Sequence, residues 1–446
     1  MPDGVQVRVV VRRGRIAHNA AVTTTRAPAA GEPCPGCGSA LVSEKQASAW
    51  CAACEWNLPA YEPVRRPPEL GWHWLDRRTH RLAYRLSGRQ FAALAGGEVD
   101  RPGWRPLRAA LVAAGVLFLA GVAALLAGGA YLVVVSWFSP LTLLGFLLFL
   151  LGLLFLPRPA RLDRDLTTVT AEEAPGLFRV IDEVAAAAGA PRPHVVAVST
   201  AFNASCGVVG LRRRRVLILG LPLWASLPPE QRVALLGHEL GHLVNGDPRR
   251  RLLTGLPVDT LARLTVLTRP AAGGPYRGSV INMIAELISR VLLGIVSRLF
   301  GVLTILMFWT TLRDGQQAEY HADRLAARAA GTAGAVGLLD TLVLAEGITT
   351  TILSAARRGG AAEEWRAAAD RTRESTRDRL AIRRQLTVRD GASLFTSHPP
   401  TGLRARLLES GPPCAPAVTL SAADSARIDT ELATWYARAR RDLVQS

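Results

Sequence analysis

The stretch LLGHELGHLVNGD, residues 235–247, places His238, Glu239 and His242 within one predicted helix. Residues four positions apart lie on the same face of a helix, so the two histidines can reach a single metal ion. Glu239 then lies beside that ion, where a carboxylate can act as a general base toward a water molecule. The stretch lacks a third protein ligand, so a metal site requires a partner elsewhere in the chain.

The downstream stretch AEYHADRLAARAAG, residues 318–331, offers that partner. Glu319 and Asp323 are again four residues apart. We predict that Glu319 is the carboxylate ligand of the metal and that Asp323 accepts a hydrogen bond from a ligand histidine. His321 lies two residues from Glu319 and is predicted to be an ordinary histidine on the helix surface. The alternative for the acidic pair is two solvated charges on a basic helix.

Four of the six cysteines form two CxxC pairs, which are CPGC (Cys34 and Cys37) and CAAC (Cys51 and Cys54). This spacing fits a zinc ribbon, in which four thiolates surround one structural zinc ion. Such a site can fold a segment that is too small for a core of its own. A pair of disulfides and an iron–sulfur site are the alternatives.

The composition combines many apolar residues, 49% of the chain, with a net charge of +17. Nearly all of the positive charge is arginine, since Lys45 is the only lysine. A basic surplus can favour anionic lipid headgroups or nucleic acid. The densest run, Arg212 to Arg215, is predicted to lie in a tight turn between two strands. We therefore expect no dedicated nucleic-acid site.

An uncharged segment from Ala109 to Pro157 is too long for one membrane span and suits two. The stretch SWFSP, residues 136–140, is the natural turn, which predicts a hairpin of helices over 109–135 and 141–157. Arginines flank the hairpin on both sides, and the positive-inside rule then places both flanks in the cytoplasm. The first residues lack the apolar core of a signal peptide, so none is expected. We expect a multi-pass protein of the plasma membrane with both termini and the active site cytoplasmic.

A second apolar region, residues 252–312, is interrupted by charges such as Glu286, Arg290 and Arg298. Its longest uncharged run is about 14 residues, shorter than a full span. We expect two helices that lie on the bilayer surface and cover the active-site cleft. The alternative is a second membrane hairpin.

The motifs divide the chain into six parts. We predict a disordered segment over 1–30, the ribbon over 31–60, a linker with one helical stretch over 61–106, the hairpin over 107–158, the metal-binding domain over 159–412 and a closing helix within 413–446. HVVAVST (194–200) and VLILG (216–220) are typical of strands. FNASCGVVG (202–210) is predicted to be a strand that pairs with the second of these.

HELGH, EYHAD and SHPP (397–400), in this order behind a membrane hairpin, resemble the HtpX-like and type I CAAX prenyl protease family of membrane zinc metalloproteases. The resemblance covers roughly residues 110–410, and the ribbon lies outside its usual pattern. It implies a mainly α, integral membrane fold. A gluzincin-type α+β metalloprotease domain with a small edge sheet would follow the two-helix transmembrane hairpin and the ribbon.

The resemblance implies further site residues. FNAS matches the family's substrate-binding strand, so Asn203, Ala204 and Ser205 are implied to bind the substrate backbone. His398 is implied to stabilise the oxyanion of the tetrahedral intermediate. Arg404 of TGLR matches a family arginine and is implied to contact substrate, although the acidic residues that usually precede it are missing here.

The expected activity is that of a zinc endopeptidase acting on membrane or misfolded proteins at the cytosolic face, as in protein quality control. The expected cofactors are one catalytic and one structural zinc ion, and the expected partners are a protein or peptide substrate and the lipid bilayer. The alternative is a catalytically silent membrane scaffold whose ribbon binds a partner or nucleic acid. An intact Glu239 argues against the scaffold, because a scaffold needs no general base.

Overall fold

This computed structural model describes residues 29–63, 72–95, 97, 106–156, 162, 166–210, 212–245, 255, 258, 260–270, 280–394, 396 and 398–445. The predicted disordered segment 1–30 therefore lies outside the described residues, apart from Ala29 and Ala30. The chain divides into two compact units. Unit 1 contains residues 1–101, 161–245 and 316–446, and unit 2 contains residues 102–160 and 246–315.

Unit 1 begins with the cysteine-rich ribbon, in which strands β1 (Leu41–Val42) and β2 (Trp50–Cys51) pair antiparallel. Helix α1 (His73–Ala95) follows and contains the helical stretch that the sequence predicts in the linker. Each ribbon strand has only two residues, so the ribbon has little secondary structure of its own to stabilise it.

A four-stranded sheet in unit 1 lies next to the predicted metal-binding helix. Its strands are β3 (Thr167–Val169), β4 (Val195–Ser199), β5 (Ala204–Val209) and β6 (Arg214–Gly220), in the order β3-β4-β6-β5. β4 and β6 are parallel, whereas β5 pairs antiparallel with β6, as the sequence predicts. Since β5 is an edge strand, no strand of the described chain pairs with its outer side. The short strand β3 was not predicted.

The other described helices follow in chain order. They are α4 (Pro175–Ala188), α5 (Leu221–Ser226), α6 (Pro229–Val244), α7 (Val280–Val343), α8 (Ala345–Arg357), α9 (Ala362–Thr376), α10 (Leu380–Asp390), α11 (Thr401–Ser410), α12 (Ala422–Glu431) and α13 (Ala433–Gln445). The closing helix predicted within 413–446 is present as two consecutive helices, α12 and α13, which are separated only at Leu432.

Helix α6 is the centre of the unit 1 core, and most of its residues are buried. It begins with prolines, which are tolerated in the first turn because those N–H groups have no partner inside the helix. Even its arginine is buried: Arg232 donates to both carboxylate oxygens of Asp429, at 2.9 and 3.0 Å, and its guanidinium lies over the ring of Trp224. This ion pair fixes α12 to the helix that carries the two histidines.

In unit 2, helices α2 (Pro106–Val135) and α3 (Pro140–Phe155) form the predicted hairpin. Ser139 caps α3 by accepting a hydrogen bond from the backbone N–H of Leu141. Glycines allow the two helices to approach closely, since a Cβ on Gly129 would lie 2.5 Å from the backbone nitrogen of Phe149. Small residues at such contacts are typical of helices that pack within membranes.

Two described helices are long and apolar enough to cross a membrane, over Val112–Val135 and Glu286–Thr304. Pro140–Phe155 is a further apolar helix, but it is shorter. Gly315–Val343 and Ala345–Arg357 pass the same test only as a pair bent by 73°. That pair contributes residues such as Leu339 and Ile348 to the core of unit 1. In Glu286–Thr304 the charges of Glu286 and Arg290 form an ion pair four residues apart, which lowers their cost in an apolar helix.

Candidate active site

Two glycines on α6 allow α7 to approach the histidine-bearing helix. A Cβ on Gly237 would lie 3.0 Å from the Cα of Ala326, and one on Gly241 would lie 3.1 Å from the Cα of Ala322. Larger residues at these positions would push the two helices apart. This role of the two glycines was not predicted from the sequence, although glycines four residues apart lie on one face of a helix and can indicate a close helix contact.

The close approach brings the three predicted metal ligands together. The Nε2 atoms of His238 and His242 are 3.3 Å apart. The Glu319 carboxylate lies 3.6 Å from His238 Nε2 through one oxygen and 3.5 Å from His242 Nε2 through the other. His238 and Glu319 are buried, and His242 is half-buried.

The arrangement fits a zinc ion. In a tetrahedral site with metal–ligand distances near 2.0–2.1 Å, ligand atoms are about 3.3–3.4 Å apart. The three measured separations, 3.3 to 3.6 Å, are close to that value. Two imidazoles and one carboxylate are also a donor set typical of catalytic zinc, and they leave a fourth position for water or substrate. These residues can therefore hold the metal.

Behind the ligands lies a buried ion pair. Asp323 Oδ1 is 3.0 Å from His238 Nδ1, so the carboxylate can hold the ring with Nε2 directed at the other ligands. Arg404 donates to both oxygens of Asp323, at 2.8 Å from Nε and 2.6 Å from Nη2. Burial would raise the pKa of Asp323, but the charge and hydrogen bonds of Arg404 lower it below its ordinary value. Asp323 therefore stays an anion in a buried place.

Arg404 is 5% exposed, and its guanidinium is enclosed by Asp323, His238 and Glu319. This placement favours a positioning role over the substrate contact that the family resemblance implies. Sequence reasoning could not find that role, because Arg404 and Asp323 are brought together only by the packing of α11 against α7.

His398 reaches the same cluster from the other side. Its Nδ1 lies 2.8 Å from Glu319 Oε2, and its side chain is 62% exposed. Burial would raise the pKa of Glu319, but the positive charges of His398, His242 and Arg404 lower it well below its ordinary value. His398 therefore borders both the ligand cluster and solvent, where a substrate would enter.

Glu239 of α6 is buried, at 7% exposed. Burial raises the pKa of the Cys206 thiol on β5, and the nearby charge of Glu239 raises it further. The general base predicted from sequence thus lies beside the edge strand.

The implied substrate residues are at the start of β5. Asn203 is exposed, Ala204 is buried and Ser205 is half-buried. The carbonyl of Asn203 accepts a hydrogen bond from the backbone N–H of Gly220 at 2.8 Å. An extended peptide could add to the outer side of β5 through backbone hydrogen bonds, which is how edge strands bind peptides.

His321, predicted to lie on the helix surface, is buried. The prediction was wrong because α7 is covered on several sides in unit 1, so a residue that points away from the metal ligands still has neighbours. The two-residue spacing from Glu319 gives only the side of the helix from which the His321 side chain projects. It contains no information about what packs against that side.

The four ribbon cysteines converge on a second site. Cys34 Sγ lies 3.6 Å from Cys54 Sγ, and Cys37 Sγ lies 3.4 Å from Cys51 Sγ. All four are free thiols, so the alternative prediction of two disulfides is wrong. Sulfur atoms around a tetrahedral zinc with 2.3 Å bonds would be about 3.8 Å apart, close to the measured separations. The residues fit a structural metal.

Replacing Gly241 with Val is expected to lower the free energy of unfolding by about 1–3 kcal/mol, because an overpacked helix contact must open. The metal content of the histidine site should fall with it. Urea unfolding and metal analysis would measure both. Gly88→Val is the control, since a Cβ there has no neighbour within 4 Å. Unchanged stability and metal content in the Gly241 variant would contradict the close-packing explanation.

Comparison with known proteins gives consistent matches over this region. A family model described as "Peptidase family M48" matches residues 171–411. A protein named "Protease HtpX" from Pseudomonas putida (strain W619) is 28% identical over 183 residues, which are 39% of this chain and 57% of that protein. A protein of the same name from Stutzerimonas stutzeri (strain A1501) is 25% identical over 219 residues, 47% of this chain and 72% of that protein.

The chain thus spans little more than half the length of the Pseudomonas putida relative. The ribbon, helix α1 and the hairpin precede the residues that the family model matches. No solved structure matches the chain.

Proposed function

The chain belongs to peptidase family M48, whose metalloproteases use zinc, and from this premise we propose that it is a membrane-anchored zinc endopeptidase. The observation that carries the proposal is the convergence of His238, His242 and Glu319 within 4.8 Å of one another, beside Glu239 and an open sheet edge. All four residues lie within the range that the family model matches, residues 171–411. A silent scaffold would need neither the buried Glu239 nor a preformed ligand set.

The steps of peptide hydrolysis can be assigned to this chain's residues. His238, His242 and Glu319 would hold zinc, which when bound supplies Lewis-acid chemistry that activates water and polarises a carbonyl. Glu239 would take the proton of the attacking water and pass it to the leaving amine. His398 would donate a hydrogen bond to the oxyanion. The edge strand β5, from Ala204 onward, would hold the substrate backbone extended.

We propose that the substrates are unfolded or exposed segments of membrane and misfolded proteins. An edge strand binds backbone groups, which are accessible only where a substrate is extended. The apolar helices of unit 2 anchor the enzyme at the bilayer, where such segments occur. Protein quality control is the process that needs this activity.

The metal proposal is one zinc at the histidine site and one in the ribbon. Treatment with 1,10-phenanthroline is expected to abolish cleavage of an unfolded protein by the detergent-purified chain, and added Zn²⁺ should restore it. Metal analysis should give about two zinc ions per chain, and about one in Glu319→Ala. Cleavage that resists the chelator, or a metal content that Glu319→Ala leaves unchanged, would overturn the assignment.

For the membrane topology we propose that both termini and the active site are cytoplasmic, with α2 and α3 as a hairpin in the plasma membrane. The apolar helix Glu286–Thr304 favours the alternative of a further span in region 252–312 over the surface lid. If that helix crosses, another segment of 246–315 must also cross, because Asn245 Nδ2 donates to the carbonyl of Ala318, at 2.9 Å.

Terminal tags should therefore be digested by added protease in inverted membrane vesicles and protected in right-side-out vesicles. A cysteine introduced as Phe138→Cys, in the exposed hairpin turn, should be labelled only from the outer face. A terminus that is protected in inverted vesicles would contradict the topology.

A further inference from the structure

The ribbon packs on helix α10 through a buried arginine that the proposed chemistry does not use. Arg389 is 2% exposed and donates to three ribbon carbonyls: Ser48 and Leu58 at 2.9 Å, and Asn57 at 2.8 Å. It also pairs with the carboxylate of Glu62 at 2.9 Å. A guanidinium with so many acceptors is held in one orientation, and it holds the ribbon loops in turn.

Further contacts join the ribbon to α10. The Arg389 guanidinium lies 4.8 Å from the ring centre of Trp50, which is fully buried. The indole N–H of Trp50 donates to Gln385 Oε1, and Gln385 Nε2 donates to the carbonyl of Ala52. Trp50 and Leu58 of the ribbon pack with Leu386 in one apolar cluster. The ribbon is therefore an integral part of unit 1.

The opposite side of α10 positions the active-site segment. The hydroxyl of Thr387 accepts a hydrogen bond from the backbone N–H of Gly402 at 2.9 Å. A Cβ on Gly402 would lie 2.2 Å from the carbonyl oxygen of Arg384, so the start of α11 lies directly against α10. Helix α11 carries Arg404, and His398 lies just before it.

The turn after α10 is held in the same way. A Cβ on Gly391 would lie 3.3 Å from the Cα of Pro400. The carbonyl of Ala392 is 3.1 Å from Nδ1 of the buried His80 on α1. Gly391, Ala392, Pro400 and Gly402 thus pack against one another, α10 or α1, and α10 packs against the ribbon.

The ribbon itself depends on its cysteine site. Its internal core consists of Cys34, Leu41, Ala49 and Cys51, with Trp56 packed against them. Segments of this size usually need a metal or disulfides to fold, because too little apolar surface is buried. The carbonyls that receive Arg389 are therefore arranged only while the four thiolates hold their metal.

We propose that the metal-loaded ribbon is a built-in support of the peptidase site, and that Arg389 is the positioning residue through which it holds the segment of His398 and Arg404 in place. The inference rests on the proposed function for its catalytic consequence. Its structural consequence can be measured without any cleavage. Loss of the ribbon metal would then lower activity while the histidine site keeps its own metal.

The test compares the full-length, detergent-purified chain with Arg389→Met, Arg389→Lys and the double variant Cys37→Ser/Cys54→Ser. Arg427→Met is the matched control, because that exposed arginine pairs only across the surface with Asp424 among the described residues. Three quantities are measured: metal content, amide hydrogen exchange of residues 391–404 by mass spectrometry, and kcat and KM for an unfolded protein substrate.

Arg389→Met should keep the histidine-site metal and exchange the amides of 391–393 and 403–404 about tenfold faster. Its kcat should fall by about tenfold to a hundredfold with KM nearly unchanged, because the reacting groups are displaced while the edge strand is intact. Arg389→Lys should show smaller changes in both amide exchange and kcat. The double cysteine variant should lose one metal per chain and behave like Arg389→Met, and Arg427→Met should behave like the unmodified chain.

Unchanged exchange and kcat in Arg389→Met, or in the double cysteine variant after loss of its ribbon metal, would overturn the proposal. Loss of the histidine-site metal in Arg389→Met, together with faster amide exchange throughout unit 1, would also overturn it, since that result indicates general unfolding. If the unmodified chain cleaves nothing, the proposed function fails. The exchange of residues 391–404 then still decides whether the ribbon supports that segment.

Discussion

Glu239→Gln is expected to lower kcat/KM for an unfolded protein substrate by about 10²–10⁴-fold, the range that loss of a general base produces. Glutamine has nearly the same shape but cannot take a proton from water. His238, His242 and Glu319 remain, so the zinc content should stay unchanged. Cleavage rates and metal analysis on the same preparations measure the two effects separately.

Glu230→Gln is the matched control for this variant, because Glu230 is an exposed glutamate in the first turn of the same helix. It should cleave at the rate of the unmodified chain. Equal cleavage by the Glu239 variant with full zinc content would remove Glu239 from the mechanism. Zinc loss in that variant would instead show that Glu239 has a structural part in the site.

Arg404→Met is expected to lower the free energy of unfolding by about 3–5 kcal/mol, because it leaves the buried carboxylate of Asp323 without its partner. The same change should weaken zinc binding by about 10–100-fold, since Asp323 then holds His238 less firmly. Urea unfolding of the metal-free chain and zinc titration measure these two quantities. If Arg404 only contacts substrate, its replacement should leave the free energy of unfolding and the zinc affinity nearly unchanged. The two measurements therefore distinguish a positioning role from a substrate contact.

Arg406→Met provides the comparison two residues away on the same helix. Arg406 is 44% exposed in its side chain and forms a surface ion pair with Glu55. Such pairs contribute about 0–1 kcal/mol, so this variant should be close to the unmodified chain in stability and zinc affinity. Similar losses in both variants would mean that helix α11 as a whole, and not the Arg404–Asp323 pair, is responsible.

Much of the metal site could be predicted from the sequence because its ligands are fixed by helical spacing. His238 and His242, like Glu319 and Asp323, are related by one helical turn, and that relation holds wherever the helices are placed. The four cysteines likewise form pairs whose spacing within the chain already determines their geometry. The apolar hairpin could be found because the absence of charge over a length sufficient for two spans requires no knowledge of packing.

The roles of Arg404 and Arg389 could not be predicted from the sequence. The family resemblance implies that Arg404 contacts substrate, yet Arg404 is buried against Asp323, 81 residues away in the chain. Arg389 was given no role at all, yet it binds ribbon residues more than 300 positions earlier. A long, flexible arginine has the same appearance in a sequence whether it is solvated or buried, so its role depends on which acceptors the fold brings to it.

The sequence by itself determined which residues can hold metal and which segments are apolar enough for a membrane, since both properties follow from local spacing and composition. Only the tertiary structure decided that α6 and α7 touch through Gly237 and Gly241, that β5 is an edge strand, and that the ribbon packs on α10. Those relations join residues far apart in the chain. They arise because burial and hydrogen bonding are satisfied jointly, by surfaces that no single stretch of the chain contains.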